Sequence, residues 1–378
     1  MPENCHVLAV GAFASAEREA LAESARQSAM EVHVESDPGA AAAWLDAKSA
    51  VAMLIDGDMS GGETFAVERR AQSQLATLPV LTWNKTVNDL SFAEAFSWGA
   101  DDVVSRTEPH ALISRLRHLP RTPSAMPASN RGIALVADPD RNRRIVIGRV
   151  LRNAGYSVTF AVSSVDIEKF VQSGSVELVV TNASLHESAL DGVHRVRQLG
   201  SSALCIVNCT PRDLKRARKE FTGVERATPT DGFAPAENVL FVSNELGRGF
   251  GADKRTSARL LYGTTVAFRG AGRDSDDWGY SYNISESGIY VRTLAPPDDE
   301  FVWVELCPPR GERRIRLVGK VAWRRGIGKG EYATVPPGFG LQIVDGAKVD
   351  LDLWRDRYRA FAEVLGVSLN PPGFAPKF

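Results

Sequence analysis

Two short segments near the C-terminus carry side chains that could recognise an anionic, hydrogen-bonding ligand. The first is Arg255-Thr-Ser-Ala-Arg259, and the second is Asn283-Ile-Ser285-Glu-Ser-Gly288. An arginine fork can donate paired hydrogen bonds to a phosphate or to O6 and N7 of guanine. The amide and the hydroxyl of the second segment add further donors and acceptors. Together the two segments suit a ligand that has both phosphates and guanine edges.

The order and spacing of these segments resemble the PilZ domain, a bacterial receptor family for the second messenger cyclic di-GMP. The family pattern is R-x-x-x-R followed by [D/N]-x-S-x-x-G, and both halves are present. The first half alone is weak evidence, because it also begins at Arg117, Arg212, Arg269, Arg310 and Arg355. The second half occurs once. The resemblance covers residues 250–345, roughly a quarter of the chain.

The resemblance implies a small antiparallel β-barrel with assigned ligand contacts. Arg255 and Arg259 would grip a phosphate and a guanine Hoogsteen edge. Asn283 and Ser285 would hydrogen-bond to guanine from the barrel surface. Gly288 would let the backbone turn and approach closely.

Lys254 precedes the first arginine and adds charge. The resemblance links this position to ligand stoichiometry, and a cation there mildly favours a stacked pair of ligands. Simpler interpretations stay open for both segments. The arginines could border a solvated loop, and residues 283–288 could form an ordinary tight turn, where Asn, Ser and Gly are common.

The region before this domain contains the same strand–helix alternation twice. Strands are predicted at 6–10, 31–35, 51–55, 79–83 and 102–105, with helices between them. After a Pro-rich linker at 121–130, strands recur at 132–137, 157–160, 177–182, 203–209 and 224–227. Short buried strands alternating with helices favour a parallel sheet covered on both faces. We therefore predict flavodoxin-like, receiver-like domains at 1–120 and 131–246.

A working response-regulator receiver needs carboxylates that hold Mg²⁺ and an aspartate that attacks a phosphoryl group. In the first domain Asp56 stands at the phosphoacceptor position, but the acidic pair is missing and Arg106 replaces the family's lysine. In the second domain a single acid, Asp138, remains, and Asn182 takes the phosphoacceptor position. Both domains are predicted to be pseudo-receivers that act as docking or dimerisation surfaces, with Asp56 a weak phosphoacceptor candidate.

The last third of the chain changes to a strand-rich pattern. A glycine-rich hinge is predicted at 247–254, a six-stranded barrel at 255–348, and a helix and tail at 349–378. The amphipathic helix could dock on the barrel or mediate self-association as a homodimer. The basic run 310–325 is interpreted as a solvated strand face, with Trp323 on the apolar side. Nucleic-acid binding is not expected there, because no aromatic residues interleave with the cations.

The composition limits the classes of function. The chain has 378 residues, a net charge of −1 and four cysteines, and it shows no metal-ligand cluster or nucleophile–base pair. No secretory signal or membrane-spanning run is visible, so we expect a cytoplasmic protein. We predict a non-enzymatic cyclic di-GMP effector without a cofactor, whose barrel converts ligand binding into altered domain arrangement or binding of a protein partner. The alternatives are an adaptor that has lost the ligand and a phosphorelay protein signalling through Asp56.

Overall fold

The computed structural model describes residues 5–122, 130–247, 257–327 and 333–367. It contains two α/β domains followed by a closed antiparallel β-barrel with a C-terminal helix, so the predicted fold class is confirmed. Most of the predicted linker and hinge lies outside the described residues, as do Lys254 and Arg255. None of the described helices is both long and apolar enough to cross a membrane.

The first domain is a parallel sheet with the strand order β2-β1-β3-β4-β5, which is the flavodoxin-like order. Apolar clusters fill both faces of the sheet, as expected for parallel strands. Its strands are β1 (His6–Val10), β2 (Glu31–Glu35), β3 (Ala52–Asp56), β4 (Val80–Asn84) and β5 (Asp102–Ser105), and its helices are α1 (Ser15–Gln27), α2 (Pro38–Ala47), α3 (Gly62–Arg70), α4 (Asp89–Ser97) and α5 (Pro109–His118).

The second domain repeats this topology. Its elements are β6 (Ile133–Ala137), α6 (Arg141–Asn153), β7 (Ser157–Ala161), α7 (Ser164–Ser173), β8 (Val176–Asn182), α8 (Ala189–Gln198), β9 (Leu204–Cys209), α9 (Pro211–Glu220), β10 (Ala227–Asp231) and α10 (Asn238–Leu246). The order β10-β9-β8-β6-β7 matches the first sheet. The last strand begins later than predicted, and Pro229 is tolerated because β10 is an edge strand.

The barrel closes through pairing of its third and fourth strands. Its strands are β11 (Leu260–Leu261), β12 (Thr265–Gly270), β13 (Asp277–Ser285), β14 (Gly288–Arg292), β15 (Phe301–Leu306), β16 (Ile315–Arg325) and β17 (Gly338–Gly346). Residues 260–270 form two separate strands, β11 and β12, and both pair with β13. A final helix, α11 (Lys348–Val364), buries Trp354, Tyr358 and Ala362 against the barrel core.

The first domain docks on the barrel through the face formed by α4, β5 and α5. Phe92 and Phe96 of α4 pack against Tyr280 of β13, with ring centroids 5.4 and 5.7 Å apart. Beside this apolar contact, the buried guanidinium of Arg115 forms ion pairs with Asp102 and Asp277. The face that other modules could have used for docking is therefore covered within the chain.

The second domain meets the barrel through another buried ion pair. Arg292 of β14 pairs with Glu237 at 3.1 Å and donates to the Ala100 carbonyl at 2.7 Å. Arg149 of α6 lies 3.6 Å from both Glu237 and Asp101. Burial alone would raise the pKa of Asp101, but the charges of Arg70 and Arg149 outweigh it and hold that pKa below its ordinary value. Buried charges thus connect all three domains.

Candidate functional site

The second predicted ligand segment forms the tip of the β13–β14 hairpin. Asn283 and Ser285 lie near the end of β13, and Gly288 begins β14 opposite Ser285. Glu286 and Ser287 make the turn between them. The Ser285 hydroxyl lies 3.4 Å from the Gly288 carbonyl, to which it donates.

The first predicted segment approaches the same end of β13. Leu260 pairs with Ile284 and Leu261 pairs with Asn283 in antiparallel register. Arg259 directly precedes β11 and is exposed, so it lies beside the end of β13 that carries Ser285. The placement of Arg255 is not described, and the roles assigned to both arginines stay predictions.

A small cavity lies between the two segments. It has a volume of about 280 Å³, and it is lined by Ser257, Glu286, Ser287, Ile343, Leu351, Trp354 and Arg355. Ser257 belongs to the first segment, whereas Glu286 and Ser287 belong to the second. The two segments therefore meet at one cavity on the barrel surface.

Packing within the barrel accounts for two residues of the motif. Asn283 is 5% exposed and sits at an irregularity in the pairing of β13 with β14. A Cβ at Gly288 would lie 2.7 Å from the Leu341 carbonyl of β17. Gly288 is thus required by the close approach of two strands, and in this arrangement Asn283 presents little surface to a ligand.

Helix α11 holds both segments in place, a feature that the sequence showed only as an amphipathic stripe. Trp354 donates its indole N–H to the Glu286 carbonyl at 3.0 Å. Tyr358 donates its hydroxyl to the Ala258 carbonyl at 2.7 Å, and burial raises its pKa to about 12. Because these donors come from one helix, movement of either segment is coupled to α11.

The charges around the cavity occur in ion pairs. The Glu286 carboxylate is paired with Arg359 at 2.6 Å. Arg355 lines the cavity with a half-exposed side chain and lies 3.8 Å from Asp352, while Arg259 precedes β11. A phosphate that binds these guanidinium groups would share or replace their carboxylate partners.

The basic strand β16 differs from its prediction. Trp323 is 39% exposed, because a bulge between Val321 and Trp323 shifts the register of the strand. Phe301 and Trp303 of neighbouring β15 are also exposed, and Phe301 pairs directly with Lys320. The predicted lack of interleaved aromatic residues was wrong, since it was judged from one strand and the aromatics come from the next.

Acidic partners offset much of the charge on this face. Lys320 pairs with Glu300 at 3.0 Å, and Arg316 pairs with Glu305 at 2.6 Å. Arg314 shares the same glutamate at 3.0 Å. The face is therefore mixed in charge, and the expectation that it does not bind nucleic acid stays a prediction.

In the first receiver-like domain, an arginine fills the edge where phosphotransfer chemistry would occur. Asp56 ends β3 and is paired with Arg106, which follows β5. The same guanidinium reaches Glu17 at 3.0 Å and Asp58 at 3.5 Å. Its positive charge occupies the oxygens that a divalent cation would need, so these residues do not fit a magnesium site. Phosphorylation of Asp56 is correspondingly disfavoured.

In the second domain, the side-chain amide of Asn182 takes the position that corresponds to Asp56. Asn182 donates its side-chain N–H to Asp138 at 3.0 Å, and the Asp140 backbone N–H donates to the other oxygen of that carboxylate at 2.9 Å. Among the described residues of the whole chain, no cluster of His, Cys, Asp and Glu could hold a metal ion. Cys205 and Cys209 are buried, and burial raises the pKa of each thiol to about 11.

Comparisons with known proteins give distant structural similarities. No family model matches the sequence, and no curated protein matches it. The PilZ domain of CeSA from a cellulose-synthesizing bacterium is 16% identical, with a TM-score of 0.21, and the match covers 29% of this chain and 99% of that one. A putative two-component response regulator/GGDEF domain protein is 19% identical, with a TM-score of 0.30, over 64% of this chain and 98% of the other.

The Bacillus subtilis inhibitor of motility is 20% identical, with a TM-score of 0.24, over 30% of this chain. This chain spans about half of that protein, 52% of its length. These similarities are too distant to assign a ligand. The architecture rests on the strand orders observed in the chain itself.

Proposed function

We propose that this chain is a cytoplasmic, non-enzymatic effector that binds cyclic di-GMP on the PilZ-like barrel. The observation that carries the proposal is the convergence of two sequence segments, since Ser257, Glu286 and Ser287 line one cavity. The pairing of β11 with β13 supports it, because it holds Arg259 near Ser285. Arginine forks match the oxygens of the two phosphates of the ligand.

In the proposed complex, Arg259 and Arg255 grip phosphate and the Hoogsteen edge of guanine. Ser285 hydrogen-bonds to the base from the hairpin tip. A contact with Asn283 requires a local change in packing, because this residue is 5% exposed in the present arrangement. Lys254 adds charge that favours a stacked ligand pair.

The signal leaves the barrel through α11. This helix is hydrogen-bonded to both predicted ligand segments through Trp354 and Tyr358. The receiver-like domains, by contrast, are joined to the barrel by buried ion pairs that are costly to break. A local change that alters binding of a protein partner or a second copy is therefore favoured over a large rearrangement of domains.

Titration calorimetry of the full chain with cyclic di-GMP tests this proposal. Arg259→Ala should weaken binding by about 10- to 100-fold, because a two-pronged contact is lost. Arg218→Ala is the control, since this exposed arginine lies on α9 of the second domain. Cyclic di-AMP retains the phosphates but lacks the guanine edge, so it should bind far more weakly. Absence of heat from the wild type with cyclic di-GMP would reject ligand binding and leave the adaptor alternative.

A further inference from the structure

A cleft opens at the carboxyl edge of the second sheet, away from the barrel cavity. Its volume is about 820 Å³, within the range of small-molecule sites. Asp138, Asn182, Asn208 and Thr210 line it from the ends of the strands and the residues that follow them. The first receiver-like domain closes the other side with α3, α4 and Trp98.

The position of the cleft follows from topology. The chain passes from β6 to β7 on one side and to β8 on the other, so strand order reverses between β6 and β8. In open α/β sheets, ligands bind outside the carboxyl ends of the strands at such a reversal. Asp138 and Asn182 follow or end these two strands and are hydrogen-bonded to each other there.

Apolar side chains border the mouth of the cleft. Leu90 of α4 is 73% exposed and Phe233 is 69% exposed, the two highest values among the exposed large hydrophobic residues described. They come from different domains and border the same cleft. Exposed apolar side chains that converge on a concavity mark a surface that a ligand covers.

The charges of the cleft define the class of ligand. Four carboxylates line it, from Glu63, Glu94, Asp138 and Asp140. The basic residue among the lining residues, Arg143, donates to the carbonyls of Ser97 at 3.3 Å and Ala234 at 2.9 Å. An anion would be repelled here, whereas a cation would gain from the carboxylates, and Trp98 and Phe233 add aromatic rings to the lining.

We propose that this cleft binds a small organic cation with an apolar or aromatic body. The site is separate from the barrel cavity and has the opposite preference for charge. Neither Asp56 nor the arginines of the barrel take part in it. Its ligand would bridge the two receiver-like domains, because Leu90 and Phe233 lie on opposite sides of the mouth.

Saturation-transfer NMR on the full chain can test the site with two matched probes. Tryptamine and indole-3-acetate share an indole body but carry opposite charges at neutral pH. Tryptamine should bind with a Kd of about 1 mM, as expected for a ligand with so few atoms. Indole-3-acetate should give no signal, and saturating cyclic di-GMP should leave the tryptamine signal unchanged.

Variants then locate the binding. Phe233→Ala should weaken tryptamine binding by about tenfold through loss of aromatic contact, and Glu94→Gln should weaken it by about threefold. Val165→Ala is the control, because Val165 is 55% exposed on α7 and lies outside the cleft. The inference is overturned if neither probe binds, if both bind equally, or if Val165→Ala has the effect of Phe233→Ala.

Discussion

The two receiver-like domains have the same strand order but close the carboxyl edge of the sheet differently. In the first, the guanidinium of Arg106 contacts Asp56, Glu17 and Asp58. In the second, the Asn182 amide satisfies Asp138, and a cleft remains beside the pair. A long basic side chain fills its site, whereas a short neutral one leaves space. The same strand order thus ends in one closed edge and one open edge.

The domains also differ in how they hold the barrel. The first domain buries an aromatic cluster and the ion pairs of Arg115 against the barrel. The second contributes Glu237, whose carboxylate pairs with Arg292 and whose backbone carbonyl accepts a hydrogen bond from the Tyr282 hydroxyl. The first domain is therefore an integral support of the barrel.

The largest expected effect comes from removing the support between the first domain and the barrel. Arg115→Ala should lower the free energy of unfolding by about 3–5 kcal/mol, because Asp102 loses its buried ion pair and Asp277 keeps only the more distant Arg273 at 4.0 Å. Urea denaturation measures the change. Arg117→Ala on the exposed side of α5 should change stability by less than about 0.5 kcal/mol. Equal effects of the two variants would refute the role of the buried pair.

A second variant reopens the closed edge. Arg106→Ala should destabilise the protein by about 3 kcal/mol, since Asp56 loses its partner in a buried setting. It should also make the melting temperature rise on addition of Mg²⁺, because carboxylate oxygens become available. Lys85→Ala, which removes an exposed cation 3.1 Å from Asp58, is the control and should do neither. A wild-type protein that Mg²⁺ stabilises equally would contradict the closed edge.

The open edge should respond more mildly. Asn182→Asp replaces a donor with a second carboxylate beside Asp138, and we expect a loss of about 1–2 kcal/mol at neutral pH. Asn182→Ala removes the hydrogen bond without adding charge and should lose less. Urea denaturation at equal salt compares the two. If Asn182→Asp is no worse than Asn182→Ala, the two side chains are too well solvated to interact.

The smallest expected effect is a pH dependence of stability that arises from the second domain. Burial lowers the pKa of His186, whose Nδ1 is buried without a hydrogen-bond partner. The unfolded chain therefore binds this proton more readily, and stability falls as the pH drops below about 6.5. Acidification from about pH 7.5 to 5.5 should lower the melting temperature of His186→Gln about 1–2 °C less than that of wild type. The exposed His194→Gln should behave as wild type, and an identical loss in all three proteins would exclude His186.

Local patterns predicted much of the architecture. The alternation of apolar strands and helices predicted both receiver-like domains, since it repeats every few residues and requires no knowledge of distant partners. The predictions failed where contacts with neighbouring strands determine the structure. These places are the proline-containing edge strand β10 and the bulge at Trp323.

The sequence by itself determined the fold class, the motif segments and the altered acidic positions of both receiver-like domains. The tertiary structure decided that Arg106 pairs with Asp56, that α11 donates hydrogen bonds to both motif segments, and that Leu90 and Phe233 line one cleft. Arg106 and Asp56 lie 50 positions apart in the sequence, and Leu90 and Phe233 are farther apart still. Periodicity reports which face of an element is buried, but long-range charge pairing depends on how the elements pack, which no local pattern encodes.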